Sequence, residues 1–110
     1  MPDLKAELIR LLEGIPGVLH KSYPERADEF STLHFCGKEI GHFHDHQELD
    51  LRLGKALIKK CGLKAPSDTR YHAERSKSSH YIMLRFTNME EVRQVESLVR
   101  LLCEELSPES

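Results

Sequence analysis

Apolar residues recur along the chain at two spacings, and the change from one to the other marks the elements. Leu4, Leu8, Leu11 and Leu12 fall three or four apart, the period of an amphipathic helix. Asp3 stands where a cap is needed, and Gly14, Pro16 and Gly17 interrupt the pattern, so a helix is predicted over 3–13. A short strand follows at 18–22, then a polar loop over 24–29. From 31 to 44 the spacing becomes two: Leu33 and Phe35 alternate with Thr32, His34 and Cys36. Gly37-Lys38 suits a two-residue turn with glycine first. In the resulting hairpin Cys36 opposes Glu39, Phe35 opposes Ile40 and Leu33 opposes His42. One face then carries Leu33, Phe35, Ile40, His42 and His44, and the other Thr32, His34, Cys36, Glu39 and Phe43. With the first set toward the core, His34 points away from His42.

The second half repeats the alternation. Residues 45–48 form a polar turn, and Leu49, Leu51 and Leu53 alternate with Asp50 and Arg52 in an extended segment. Residues 55–61 read as a short helix stopped by Gly62. A second hairpin is expected from 69–74 and 79–86, with Ile82, Leu84, Phe86 and His80 on one face. The last helix starts at Asn88, where Glu91 completes a capping box; Val92, Val95, Val99, Leu102 and Leu106 form its apolar stripe. The fold class that follows is two-layer α+β. An antiparallel sheet of two hairpins, with 18–22 as a candidate additional strand, is packed by the N- and C-terminal helices.

At 110 residues the chain fits one domain, 1–110, with a core over about 3–106. Folding would bury roughly two-thirds of its surface without metal or disulfide staples. A net charge of −2 gives no electrostatic case for nucleic acid. No apolar run approaches the roughly 20 residues of a membrane span, and the charged, amphipathic N-terminus does not read as a signal peptide. Cys36, Cys61 and Cys103 are odd in number and lack a CxxC spacing, which points to a reduced, cytoplasmic protein.

Histidine is the unusual component, with seven in all. His42 and His44 are two apart on a strand, so both point the same way with Cα atoms about 6.6 Å apart. Two imidazoles so placed can converge on one divalent ion such as zinc, with bonds of about 2.1 Å. His46 joins them only if the strand runs on through Asp45. Asp50 and His72 are candidates to complete the site, although Asp50 equally suits a cap for the following helix. Glu39 reads as a solvated hairpin residue, and His20 as structural. A bound metal with an open position could activate water for hydrolysis, so an enzyme and a ligand-binding module both remain open. The alternative class is a protein-interaction or homodimerisation domain with structural histidines, using Leu98, Leu101 or Cys103 of the last helix.

The stretch 36–44, Cys-Gly-Lys-Glu-Ile-Gly-His-Phe-His, resembles the G-(K/R)-E-I-G-H-x-H segment of the luciferase-like domain family of small bacterial proteins. Leu49-Asp50-Leu51 is similar to the D-(L/I)-P segment that follows, and 55–62 to its short basic helix ending in glycine. Residues 79–85 resemble its strand entered by S-G-W, with His80 for glycine and Tyr81 for tryptophan. The resemblance spans about 17–105 and is most specific in the hairpin. It implies His42, His44, Asp50 and His72 as ligand-binding positions, with Glu39 nearby, and it implies no particular reaction.

Overall fold

The computed structural model describes residues 3–26, 30–64 and 80–107. The first helix, α1 (Leu4–Glu13), starts where Asp3 accepts a hydrogen bond from the Ala6 amide, as its cap position demands. Five strands follow the helix: β1 (Val18–Ser22), β2 (Ser31–Phe35), β3 (Lys38–Phe43), β4 (Glu48–Leu51) and β5 (Ile82–Arg85). They form one antiparallel sheet whose spatial order is the sequence order. A short helix, α2 (Lys55–Lys60), lies between β4 and β5, and α3 (Met89–Leu106) ends the described chain. The α+β arrangement agrees with the sequence pattern. The strand membership differs in part: 49–51, expected as an extended lead-in, is a full strand paired on both sides, while 69–74 lies outside the described residues.

Leu8 and Leu12 of α1 and Val92, Val95, Val99 and Leu102 of α3 pack on one face of the sheet, against Leu33, Ile40, Phe43, Leu49, Leu51, Leu84 and Phe86. In α3, Asn88 caps the Glu91 amide, but the Glu91 carboxylate accepts from the amide and hydroxyl of Thr87 rather than from Asn88. The apolar stripe of α3 ends one turn early, for Leu106 is 43% exposed. Cys103 is buried, and Leu98 and Leu101 are half-buried against the core. The Cys103 thiol therefore lies on the core side of the helix.

The first hairpin differs from its expected form, and the difference decides the site. Phe35 pairs with Lys38, so the two-residue turn is Cys36-Gly37. Both residues have positive φ, +52° and +86°, as a type I′ turn requires. Cys36 is an unusual occupant of such a position, which is why the glycine alone suggested the wrong turn. The register then breaks: His34 pairs with Glu39, but Leu33 pairs with Gly41. Ile40 is the extra residue of a β-bulge. Ile40 and Phe43 can thus both be buried in the core, although an unbroken strand would put them on opposite faces. Beyond the bulge, His42 and His44 turn away from the helices, opposite to expectation, and His34 lies on the same face as they do.

His20 occupies the core face of β1, edge-on to Phe43 at 5.9 Å between ring centres. Its Nε2 is buried without a hydrogen-bond partner among the described residues. Burial, first, and the nearby Lys5 charge, second, lower its pKa, while Glu13 opposes them weakly. The unfolded chain therefore binds more protons than the folded one below the ordinary histidine value of about 6.5. No effect is expected above that pH, and stability falls as pH drops through it. We expect the urea midpoint of the wild type to fall more between pH 7.5 and pH 5 than that of His20→Leu. Equal falls would show that the ring contributes no acid sensitivity.

Candidate metal centre

The site lies on the sheet face away from α1 and α3, and three strands position it. His42 on β3 pairs directly with Asp50 on β4, and directly opposed side chains on an antiparallel pair start about 5 Å apart. That register is held at the connecting turn. The Asp45 carboxylate accepts from the amides of Gln47, at 2.7 Å, and Glu48, at 2.9 Å. The His44 amide donates to the Glu48 carbonyl. On the far side of β4, Arg85 donates through Nε and Nη2 to one oxygen of the buried Glu48 carboxylate, at 3.1 and 2.8 Å, and ties β4 to β5.

Close approach of β3 and β4 depends on Gly41. A Cβ there would meet the Asp50 carbonyl oxygen at 2.8 Å and the Leu51 Cα at 3.3 Å. Backbone atoms cannot swing aside as a flexible side chain does, so glycine is a steric requirement at this position.

The His42 and His44 rings stand edge to face with centres 4.7 Å apart. His42 Nε2 lies 3.4 Å from Asp50 Oδ2, and the Asp50 side chain is only 1% exposed. A nitrogen of each ring and an Asp50 oxygen all lie within 4.8 Å of one another. The 3.4 Å separation exceeds the usual N–H···O range. It matches the edge of a tetrahedron with bonds of about 2.1 Å, which is about 3.4 Å. On the other side of the ring, His42 Nδ1 lies 3.6 Å from Glu39 Oε2. Phe30 flanks both imidazoles, at 5.6 Å from His42 and 6.4 Å from His44, and Tyr81 lies 6.2 Å from His42. The Arg26 guanidinium stacks over Phe30 at 4.2 Å.

Of the residues expected from sequence, His42, His44 and Asp50 come together. His72 lies outside the described residues. Asp50 is not a helix cap: α2 is preceded by Gly54, with no side-chain capping bond. His46 is exposed in the turn after β3 and is not among the converging ligands. His80 is exposed rather than on the core face, and its carbonyl accepts from the Gly54 amide. Sequence reasoning set aside Glu39 and His34, which share the face with His42. His34 Nε2 is 2.9 Å from the Thr32 hydroxyl, itself 3.3 Å from the Tyr23 hydroxyl. The signal that would have found them is the apolar pair Ile40 and Phe43 around Gly41, a mark of a bulge. A groove of about 340 Å³ between β5 and α3 is lined by Leu63, Leu84, Val95 and Leu98 together with Arg85, Glu91, Gln94 and Ser97; among the described residues no histidine borders it.

The structure thus presents an antiparallel α+β sheet with two imidazoles and one carboxylate gathered on the face away from its terminal helices. A family model described as Luciferase domain matches residues 37–101, a span that begins in the first hairpin turn, contains the whole cluster and runs into α3. The chain belongs to this luciferase-domain family. Searches of curated proteins and of solved structures returned no match. Among the described residues no helix is long and apolar enough to cross a membrane.

Proposed function

We propose that the protein binds a divalent metal ion through His42, His44 and Asp50 and presents an open coordination position to a small-molecule ligand. The observation that carries this reading is the convergence of two imidazole nitrogens and one buried carboxylate oxygen within 4.8 Å. A carboxylate with almost no exposure needs a cation or several donors to offset its lost hydration. Two imidazoles with one carboxylate suit first-row divalent ions, zinc and ferrous iron among them. Three protein ligands leave at least one position free, the arrangement of a reactive rather than a closed structural site. Bound there, a metal would polarise a ligand oxygen or acidify a bound water. Phe30 and Tyr81 would restrict access and exclude bulk water around His42.

The test is metal content by mass spectrometry on untagged protein purified without chelator, beside the His42→Ala/His44→Ala double variant. Near-stoichiometric metal in the wild type is expected, lost in the variant while its circular dichroism is unchanged. Wild-type-like metal content in the variant would defeat the reading.

A further inference from the structure

We propose that Glu39 is the positioning residue of this site: its carboxylate, 3.6 Å from Nδ1 of His42, draws the ring proton to that nitrogen, so that Nε2 presents its lone pair toward Asp50 and His44. The inference rests on the metal reading above and deepens it. Three residues apart on a regular strand, Glu39 and His42 would face opposite ways. The bulge at Ile40 puts them on one face, with Oε2 of Glu39 3.6 Å from Nδ1 of His42. The imidazole therefore stands between two carboxylates, Glu39 at Nδ1 and Asp50 at Nε2.

A neutral imidazole has one N–H and one lone pair. If the proton sits on Nε2, pointing at Asp50, that nitrogen cannot ligate. If it sits on Nδ1, Nε2 is free to do so. The two carboxylates compete for one proton, and only the arrangement favoured by Glu39 makes a ligand of His42. Histidines bound to metals usually give their other N–H to a carboxylate or carbonyl, which fixes the ring and raises its basicity. The two acids are suited to different tasks. Asp50 is nearly inaccessible, at 1%, and Glu39 is 46% exposed. A small rotation of the exposed Glu39 side chain closes the 3.6 Å gap to hydrogen-bond distance of Nδ1.

The experiment compares full-length wild type, Glu39→Ala and Glu39→Gln in two measurements. Zinc affinity is read by competition with a chromogenic chelator. The His42 tautomer in metal-free protein is read by long-range proton–nitrogen NMR at about pH 8.5, two units above the ordinary imidazole value. Glu39→Ala is expected to weaken zinc binding about 10- to 100-fold and to raise the Nε2–H population of His42. Glu39→Gln keeps an acceptor oxygen and should fall between it and the wild type. An unchanged tautomer in Glu39→Ala overturns the inference, whether affinity is kept or lost. Should the wild type bind no zinc, a tautomer shift would uphold the role of Glu39 and count against the metal reading alone.

Discussion

Asp50→Asn should abolish the stabilisation of the fold by zinc. The variant keeps the shape of the side chain and removes its charge. Asp50 is the most secluded acidic group in the described chain, at 0% exposure, and it shares its face with the buried Glu48 and with Glu39. With a cation, it supplies the strongest single attraction in the site. A ligand that binds only the folded state stabilises it by about 2.7 kcal/mol at one hundred times its dissociation constant. In a domain of this size that is a rise of roughly 10 °C in melting temperature. We expect that rise in the wild type and none in Asp50→Asn, measured by thermal unfolding with and without zinc after chelator treatment. Equal rises would remove Asp50 from the coordination set. A large loss of metal-free stability would assign it a structural role instead.

Stability that zinc adds and that one carboxylate controls is what separates a site from a half-buried polar patch. It also explains why the sequence was informative here but incomplete. Asp50 stands among alternating leucines, so its placement on a polar strand face followed from period two alone. His42 and His44 share a face for the same reason. What period two could not supply was which strand faces meet, because that depends on register. Register is set by two features with weak sequence signatures: a turn that places Cys36 at φ +52°, and a bulge that inserts Ile40. The turn moves each pairing by two residues and leaves the shared faces as they were; the bulge moves it by one, and one residue exchanges the two faces. The helices were legible because their signals are local. Asp3 caps α1 and Asn88 caps α3 whatever the rest of the chain does. The strand at 18–22 was legible, but the pairing of β4 with β5 was not. That pairing joins residues more than 30 positions apart, Glu48 with Arg85 and Leu51 with Ile82, across a segment whose pattern suggested a hairpin of its own.

Phe43→Ala should cost about 3–5 kcal/mol of stability, the usual range for emptying a fully buried aromatic site. The ring has no exposure. It meets Phe86 edge-on at 6.1 Å and the His20 ring at 5.9 Å, and the Lys5 ammonium stands 5.2 Å from its centre. Against a total of about 5–15 kcal/mol for a small protein, that loss removes a large share of the folding free energy. With a urea dependence of about 1–3 kcal/mol per molar, the midpoint should fall by about 2 M. Phe43→Leu, which retains most of the apolar volume, should fall less. His42→Ala, one residue away, should shift the metal-free midpoint little, because its side chain lies on the other face. Zinc affinity should respond in both alanine variants but for different reasons: His42→Ala removes a ligand, and Phe43→Ala loosens the strand end that carries His42 and leads into His44. The comparison also decides between registers. If the strand ran without its bulge and His42 and His44 faced the helices, the stability cost would fall on His42→Ala and Phe43→Ala would be mild. The bulged register requires the reverse order, and a single pair of urea titrations distinguishes the two.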